Sequence, residues 1–505
     1  MMMVVVFGAS FMAYNLEAYS SDPLAELQQS TAPNKQYLIE RLTRDLMLDV
    51  PPPIRYFNWL KGLVAGLWGQ FDLGMTRDKH SVAEYIGAAI PTTFRLVIGS
   101  TVLAIVIGIT IGMVTAIRQY SRFDYSMTFV AFLLFSLPVF WVAVLLKEYL
   151  AIQFNDFLLD PHMTWPYIIA FSLFAGLLWA SIIGGERRRF YAVFVGVFVG
   201  NAILLEVLSL TSWFIQPGLG IAGVAVFGGV IAVAVTQIST GLDDKKALYA
   251  SLITAGLVVA AYYPLQLVMN DKASLLTVIA LFAGVLVAAG AVGYFITKID
   301  RRAIMRTAML TGFLAMIPVV VDRFMQEFGA YYKSDAINGR PIPTMGQANQ
   351  LLTPEQAHNF WINSLDGFTH VFLPTVALTL ISFAGYVRFS RGSLLEVLNM
   401  DYIRTARAKG LTERTVIVRH ALRNAMLPLT TILVNDFAGV IGGAIITESI
   451  FGWKGMGSLF NQAIGSYDLN LFMGVFIISS FLTVLANLVA DLLFGVMDPR
   501  IRIRK

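Results

Sequence analysis

Asp401-Tyr-Ile-Arg-Thr-Ala-Arg-Ala-Lys-Gly410-Leu-Thr-Glu-Arg-Thr-Val-Ile-Val-Arg-His420-Ala-Leu-Arg-Asn-Ala-Met-Leu-Pro428 stands between two apolar runs, 371–390 and 427–450, and its reading decides the fold. The stretch is a short helix, a glycine turn and a second helix that leads back into an apolar run. Ala406 and Ala408 leave little side-chain bulk on the first helix, so another protein's surface can approach its backbone. Gly410 suits the left-handed residue that ends a helix, Thr412 starts the next one, and Pro428 marks the expected membrane entrance. Eight basic residues fall between Arg388 and Arg423. A short cationic helix of small residues is a candidate docking element, although basic cytoplasmic loops in general share that composition.

Outward from this stretch, apolar runs recur along the whole chain. Its 505 residues are 57% hydrophobic and 14% charged, against roughly 25% charged in soluble proteins, and the mean hydropathy is +0.68. A bilayer is therefore the solvent to assume. Twelve spans are expected, near 1–16, 93–117, 126–150, 166–185, 191–214, 220–240, 247–269, 275–296, 307–324, 371–390, 427–450 and 471–495. Two long polar segments, 17–91 and 325–370, interrupt them. The first run is short against the roughly 20 residues a spanning helix needs and has no preceding Lys or Arg, which leaves room for residues upstream of Met1. No cleavable signal sequence is visible.

Orientation follows from Lys and Arg in the short loops. With the N-terminus inside, the inner segments take Arg118 and Arg122, Arg187 to Arg189, Lys245 and Lys246, then Lys298, Arg301, Arg302 and Arg306. The basic loop after Arg388 and the tail Arg500, Arg502, Arg504 and Lys505 follow, so that most of the 37 Lys and Arg lie inside. The short outer turns after 150, 214 and 269 contribute Lys272 alone. Both termini are then cytoplasmic. With no cysteine, disulfides, thiolate catalysis and Cys-ligated metals are excluded, and the five histidines show no ligand spacing. Residues 166–324, rich in Val, Ala, Gly and Ile with short turns, have the texture of an inserted six-helix block, even in number and neutral to the topology around it.

The order of residues in the basic loop resembles the B-type permease subunits of dipeptide and oligopeptide ABC importers, with nickel importers as close relatives. Residues 402–411 are similar to that family's EAA loop in its Y-x-R-T-A-R-A-K-G-L form, and 419–428 to its R-H-A-L-R-N-A-x-L-P continuation. Leu373-Pro-Thr-Val-Ala-Leu-Thr-Leu380 and Gly385-Tyr-Val-Arg388 resemble the preceding helix. Glu448-Ser-Ile-Phe-Gly-Trp-Lys-Gly-Met-Gly457 resembles the extracytoplasmic E-x-x-F-x-x-P-G-x-G turn, with Lys454 in place of the usual proline. Phe71-Asp-Leu-Gly74, Pro91-Thr-Thr-Phe-Arg95, Ser136-Leu-Pro-Val-Phe-Trp141 and Asp498-Pro-Arg500 fit as well.

The resemblance implies an all-α polytopic bundle of about twelve transmembrane helices, a type I importer permease core with six extra helices. Residues 1–163 would form the N-terminal part of that core and 164–324 the inserted block. An extracytoplasmic loop, 325–370, would precede the C-terminal part, 371–505, with the EAA-type loop at 396–426. It further implies a transport subunit and not an enzyme. The chain has no phosphate loop, so ATP and Mg would be bound by partner ATPases and no cofactor by this chain. The implied partners are a second related permease, two ATPase subunits or domains and a solute-binding protein, all at the bacterial inner membrane, with no nucleic acid. Tyr402, Arg404, Thr405, Ala406, Arg407, Ala408, Lys409, Gly410 and Leu411 would dock the ATPase; the three basic residues would pair with acidic groups there, or simply hold the loop inside.

Charged residues within spans are costly in lipid and are functional candidates. Asp436, with Asn435, lies about nine residues into its run and would line the substrate pathway, or else bond a neighbouring helix. Glu448 would gate the pathway or meet the binding protein. Glu206 is expected to form an interhelical pair, and Lys147 and Glu148 to snorkel. A proton-coupled secondary transporter is the competing class, but it should show internal repeats and a chain of membrane carboxylates.

Overall fold

A computed structural model describes residues 2–20, 22–29, 31, 33–66, 72–297 and 300–497, with the backbone alone at 433–443 and at a few other positions. The tail from 498, Phe71 and Lys298 thus lie outside the described residues. Helices dominate, and among the described residues the one β-bridge pairs Met75 with Ser81. Contacts divide the chain into Met1–Lys147, Met345–Gln347 and Val371–Lys505 on one side, and Glu148–Thr344 with Ala348–His370 on the other.

The first unit opens with α1 (Met2–Ser20), α2 (Ala25–Gln29), α3 (Lys35–Asp45) and α4 (Pro52–Ala65). Next come α5 (Val82–Ile117), α6 (Arg122–Ser136) and α7 (Val139–Leu146), which runs into a π turn, Lys147–Ile152. The expected polar segment 17–91 is therefore largely helical. Its fixed point is Tyr56, fully buried and ringed by Phe7, Phe11, Tyr14, Phe57 and Trp59 at centroid distances of 5.2–6.2 Å. Lys79 reaches Asp45 at 2.9 Å and ties α3 to the turn before α5. The hydrogen bond from that ammonium holds the Asp45 carboxyl below its ordinary range. α5 starts eleven residues ahead of the expected span, because Val82, Ile86 and Ala89 recur on one buried face and the helix runs on through Pro91.

The expected span 126–150 is not one rod. Pro138 lacks an N–H and pushes the preceding residue out of the helical region, and Leu137 sits at φ −84°, ψ 129°. The two arms, Arg122–Ser136 and Val139–Leu159, meet at 104°. α7 then packs on the later α20: Lys147 donates to the Ile450 carbonyl and lies 5.2 Å from the Phe451 ring centroid. Lys147 is thus anchored within the unit, which goes beyond snorkelling.

The second unit holds α8 (Gln153–Leu159), α9 (Trp165–Ile183), α10 (Arg187–Leu210), α11 (Gly220–Ser239) and α12 (Lys245–Ala260). α13 (Tyr262–Val268), α14 (Leu275–Ile296), α15 (Arg301–Tyr332) and α16 (Pro354–His358) complete it, with the opening turns of α17 (Phe360–Leu398). Neighbours in sequence pack in pairs, α9 with α10 and α14 with α15. The span 247–269 is bent by 53° between α12 and α13. Asp322, buried on α15, closes this bend: it accepts from Leu219 N at 2.6 Å, Gly220 N at 3.0 Å, Gln326 Nε2 at 2.9 Å and the Tyr262 hydroxyl at 2.5 Å. Glu206, expected in a helix pair, has no hydrogen bond or ion pair among the described residues. α15 and α17 also take up the two ends of 325–370, leaving 333–359, with α16 inside it, as the connection.

The first unit continues through α17 to α18 (Asp401–Ala408), α19 (Glu413–Thr415), a second π turn at Val416–Ala421, α20 (Leu422–Phe451), α21 (Met456–Gly465) and α22 (Leu469–Met497). α5 and α17 lie in close contact along Gly108 and Gly112, four residues apart, the small-residue spacing that lets membrane helices approach. A Cβ at Gly108 would fall 2.5 Å from Tyr386 Cβ, and one at Gly112 1.9 Å from Ser390 Oγ. Among the described residues, eight helices are long and apolar enough to cross a membrane, or ten with the two bent pairs. The remaining two of the twelve expected spans correspond to α1 and to 427–450 within α20, whose mid-helix side chains are not described.

Candidate functional site

Two sites lie toward opposite ends of α5, a 36-residue helix about 54 Å long at 1.5 Å per residue. At its C-terminal end α18 lies on a buried cluster. Ile403 and Ala406 face inward against Ala116 of α5, Leu394 of α17, Val416 and Ala421 of the π turn, and Ala425 of α20. Ser393 Oγ donates to the Ala425 carbonyl at 2.8 Å and closes the same corner. Ala406 was expected on the docking face. It is instead buried, and its small side chain lets α18 seat against its neighbours.

The outward face carries Arg404, Thr405, Arg407, Ala408 and Lys409, all exposed, with Tyr402 and Leu411 at its margins. Arg407 Nε and Nη2 reach the Glu413 carboxylate at 2.8 and 3.4 Å across the turn. Arg404 approaches Asp401 at 3.7 Å, and Thr405 Oγ1 donates to the Asp401 carbonyl. Tyr402 is half tied down, since Asn424 Nδ2 donates to its hydroxyl at 2.8 Å. Gly410 has φ +75°, the left-handed conformation a helix-ending residue needs. Thr412 then caps α19 by accepting from Thr415 N. Pro428 lies inside α20, past its first turn, and does not open the helix.

Toward the other end, α20 stops at Gly452, φ +65°, and the chain folds back into α21. Glu448, expected to gate a pathway or meet a partner, is fully buried in this turn. One of its oxygens accepts from Thr93 Oγ1 at 2.7 Å and the other from Ser458 N at 2.8 Å. The Thr93 hydroxyl accepts in turn from Met456 N at 2.8 Å. The glycines are steric necessities: a Cβ at Gly455 would lie 2.3 Å from Glu448 Oε1, and one at Gly457 2.6 Å from Ile445 Cα. Trp453 is buried while Lys454 points to solvent, so the position where proline is usual takes a lysine without disturbing the packing. Asn435 and Asp436 lie within α20, and their side chains are outside what the structure describes. Thr93 was missed as a site residue; its partner is 355 positions away, beyond any spacing signal.

A bundle of membrane-length helices with an exposed cationic helix at one end and a glycine-pinned carboxyl turn toward the other defines the class: a polytopic helical membrane protein. Comparison with known proteins shows what the chain is similar to. Residues 280–503 match the family model of the binding-protein-dependent transport system inner membrane component. Its start at 280 lies ahead of the likeness read from residue 371 onward.

Among curated proteins, 143 residues are 46% identical to the dipeptide transport system permease protein DppB of Escherichia coli strain K12, covering 28% of this chain and 42% of that one. A 151-residue stretch is 38% identical to the oligopeptide transport system permease protein OppB of Mycobacterium tuberculosis strain H37Rv, covering 30% and 46%. The oligopeptide transport system permease protein AppB of Bacillus subtilis is 43% identical over 143 residues, covering 28% and 45%. The chain spans less than half the length of each of these relatives.

Proposed function

We propose that this chain is the permease subunit of an ATP-binding-cassette importer and forms half of a pathway for di- or oligopeptides delivered by a solute-binding protein. The observation that carries the reading is the exposed cationic face of α18, seated on the ends of α5, α17 and α20, within a segment that matches an importer family. The exposed residues among 402–411 dock a cytoplasmic ATPase, which binds ATP and Mg, and a second permease completes the pathway. The names of the relatives support peptides over nickel or another small solute. Both termini are cytoplasmic, and the spans of the first unit line the pathway in preference to the block at 164–324.

Purification of the tagged chain from membranes tests this directly. The complex should contain this chain once, a different permease and two ATPase domains. Ala408→Glu, which places charge on the exposed face, and Gly410→Pro, which breaks the turn, should abolish substrate-stimulated ATP hydrolysis while membrane insertion persists. Normal stimulated turnover in both variants would remove the docking assignment, and a functional homodimer would remove the pairing with a second permease.

A further inference from the structure

We propose that Asp124 and Arg391 form the link by which α6, and the bent segment it opens, follows movement of the 401–421 loop; the inference rests on the permease reading above. The cluster beneath α18 joins the ends of α5 and α17 and the start of α20, and among the described residues α6 contributes nothing to it. α6 is held one turn back along α17. Arg391, three residues before Leu394, donates from Nε and Nη2 to the two Asp124 oxygens at 2.8 and 3.0 Å. The carboxylate is 3% exposed and the guanidinium 28%.

The rest of the surroundings fix Asp124 in place. Its oxygens accept from Tyr120 N at 3.0 Å and from Thr128 Oγ1 at 3.3 Å, and Ser121 caps the start of α6 by accepting from Asp124 N. Tyr120 has φ +63° in the short connection from α5, so that connection is a tight corner and not a rod. Farther along, Arg388 lies 4.2 Å from the Phe135 ring centroid and 5.6 Å from that of Phe132, beside a buried contact of Ala131 with Phe383 and Val387.

An ionic pair is not needed merely to hold two helices together. The desolvation of a buried pair offsets most of its attraction, and apolar side chains would serve as well. What a bidentate pair adds is a defined direction, since both N–H groups must meet both oxygens. Placed between the loop cluster and the Pro138 break, it makes the angle of α6 depend on where α17 is carried. Asp124 and Arg391 are thus positioning residues for coupling, remote from the outward face of α18.

The experiment uses the whole reconstituted complex in proteoliposomes and measures substrate moved per ATP hydrolysed. Asp124→Asn and Arg391→Gln should each lower that ratio about tenfold, within the range of coupling between linked sites, while assembly and basal hydrolysis stay as in the parent. The double variant should lower the ratio no further than either single one, as expected of two residues that act through one shared bond. Because the chain has no cysteine, Asp124→Cys with Arg391→Cys offers a second route: a short bifunctional thiol crosslinker should restore the ratio and its reductive release abolish it. An unchanged ratio in the two single variants, or a crosslinked pair that transports no better than the released one, would overturn the link. Failure of any ATPase to copurify with the parent chain would overturn the permease reading instead.

Discussion

Thr93→Val tests whether the buried turn at the end of α20 is held as described. Valine keeps the shape and volume of threonine, so no cavity forms, and the change removes only the hydroxyl. That hydroxyl has two roles: it donates to Glu448 Oε1 at 2.7 Å and accepts from Met456 N at 2.8 Å. A hydrogen bond contributes about 0.5–1.5 kcal/mol net, and a buried N–H left without a partner costs about 1–3 kcal/mol. Interhelical bonds in bilayers average nearer 0.6 kcal/mol, so the expected destabilisation is about 2–4 kcal/mol. Detergent-induced unfolding in mixed micelles, followed by tryptophan fluorescence, reads it through the buried Trp453. Thr93→Ser keeps the hydroxyl and should lose less than half as much. A cycle with Glu448→Ala should show a coupling of about 0.5–3 kcal/mol. Thr93→Val within about 0.5 kcal/mol of the parent, the usual range of surface substitutions, would refute the reasoning.

Three further outcomes follow from the same geometry. Gly112→Ala drives a methyl to within 1.9 Å of Ser390 Oγ and should destabilise by about 1–3 kcal/mol, the usual cost of overpacking; adding Ser390→Gly should recover part of the loss in the same unfolding assay. Ala406→Glu should reduce the amount of folded protein, because Ala406 is buried, whereas Ala408→Glu should leave the yield unchanged; size-exclusion profiles of the two variants distinguish these outcomes. Arg407→Ala removes an exposed pair with Glu413 and should change stability by less than about 1 kcal/mol.

Apolar runs located most of the spanning helices because composition alone reports burial in lipid. The breaks were harder to read. Pro138 lies within a run whose hydropathy continues on both sides, and only its effect on Leu137 turns one expected rod into two arms. In the polar segment 17–91, helices such as α3 and α4 carry no long apolar signal, yet Tyr56 and Trp59 are buried through contacts with residues distant in sequence. The loop at 401–421 was legible in its glycine turn and cap, which are local, whereas the burial of Ala406 was not, because the side on which an alanine packs depends on what lies beneath it. Glu448 was recognised as unusual for its charge, but its role in the turn depends on Thr93 and could not be inferred from the run around it.

The two sites share their supporting helices, and that arrangement constrains how motion can pass between them. α5 carries Thr93 near one end and Ala116 near the other, and α20 carries Ala425 near its start and Glu448 near its end. The glycine contact at 108 and 112 holds α17 so close to α5 that neither can slide without a clash of Tyr386 or Ser390. Packed interfaces of this kind move as rigid bodies and do not deform smoothly. A displacement of α18 would therefore reach the Glu448 turn through α5 and α20 together, while α6 would follow through Arg391 and Asp124. The buried Glu448 suits such a relay: with both of its carboxyl oxygens bonded, it pins the turn so that a shift of its helix is transmitted instead of absorbed. On the proposed permease reading, loosening it at Thr93 should then weaken the response of ATP hydrolysis to substrate even at temperatures where the protein remains folded; an unchanged response in Thr93→Val would refute the relay.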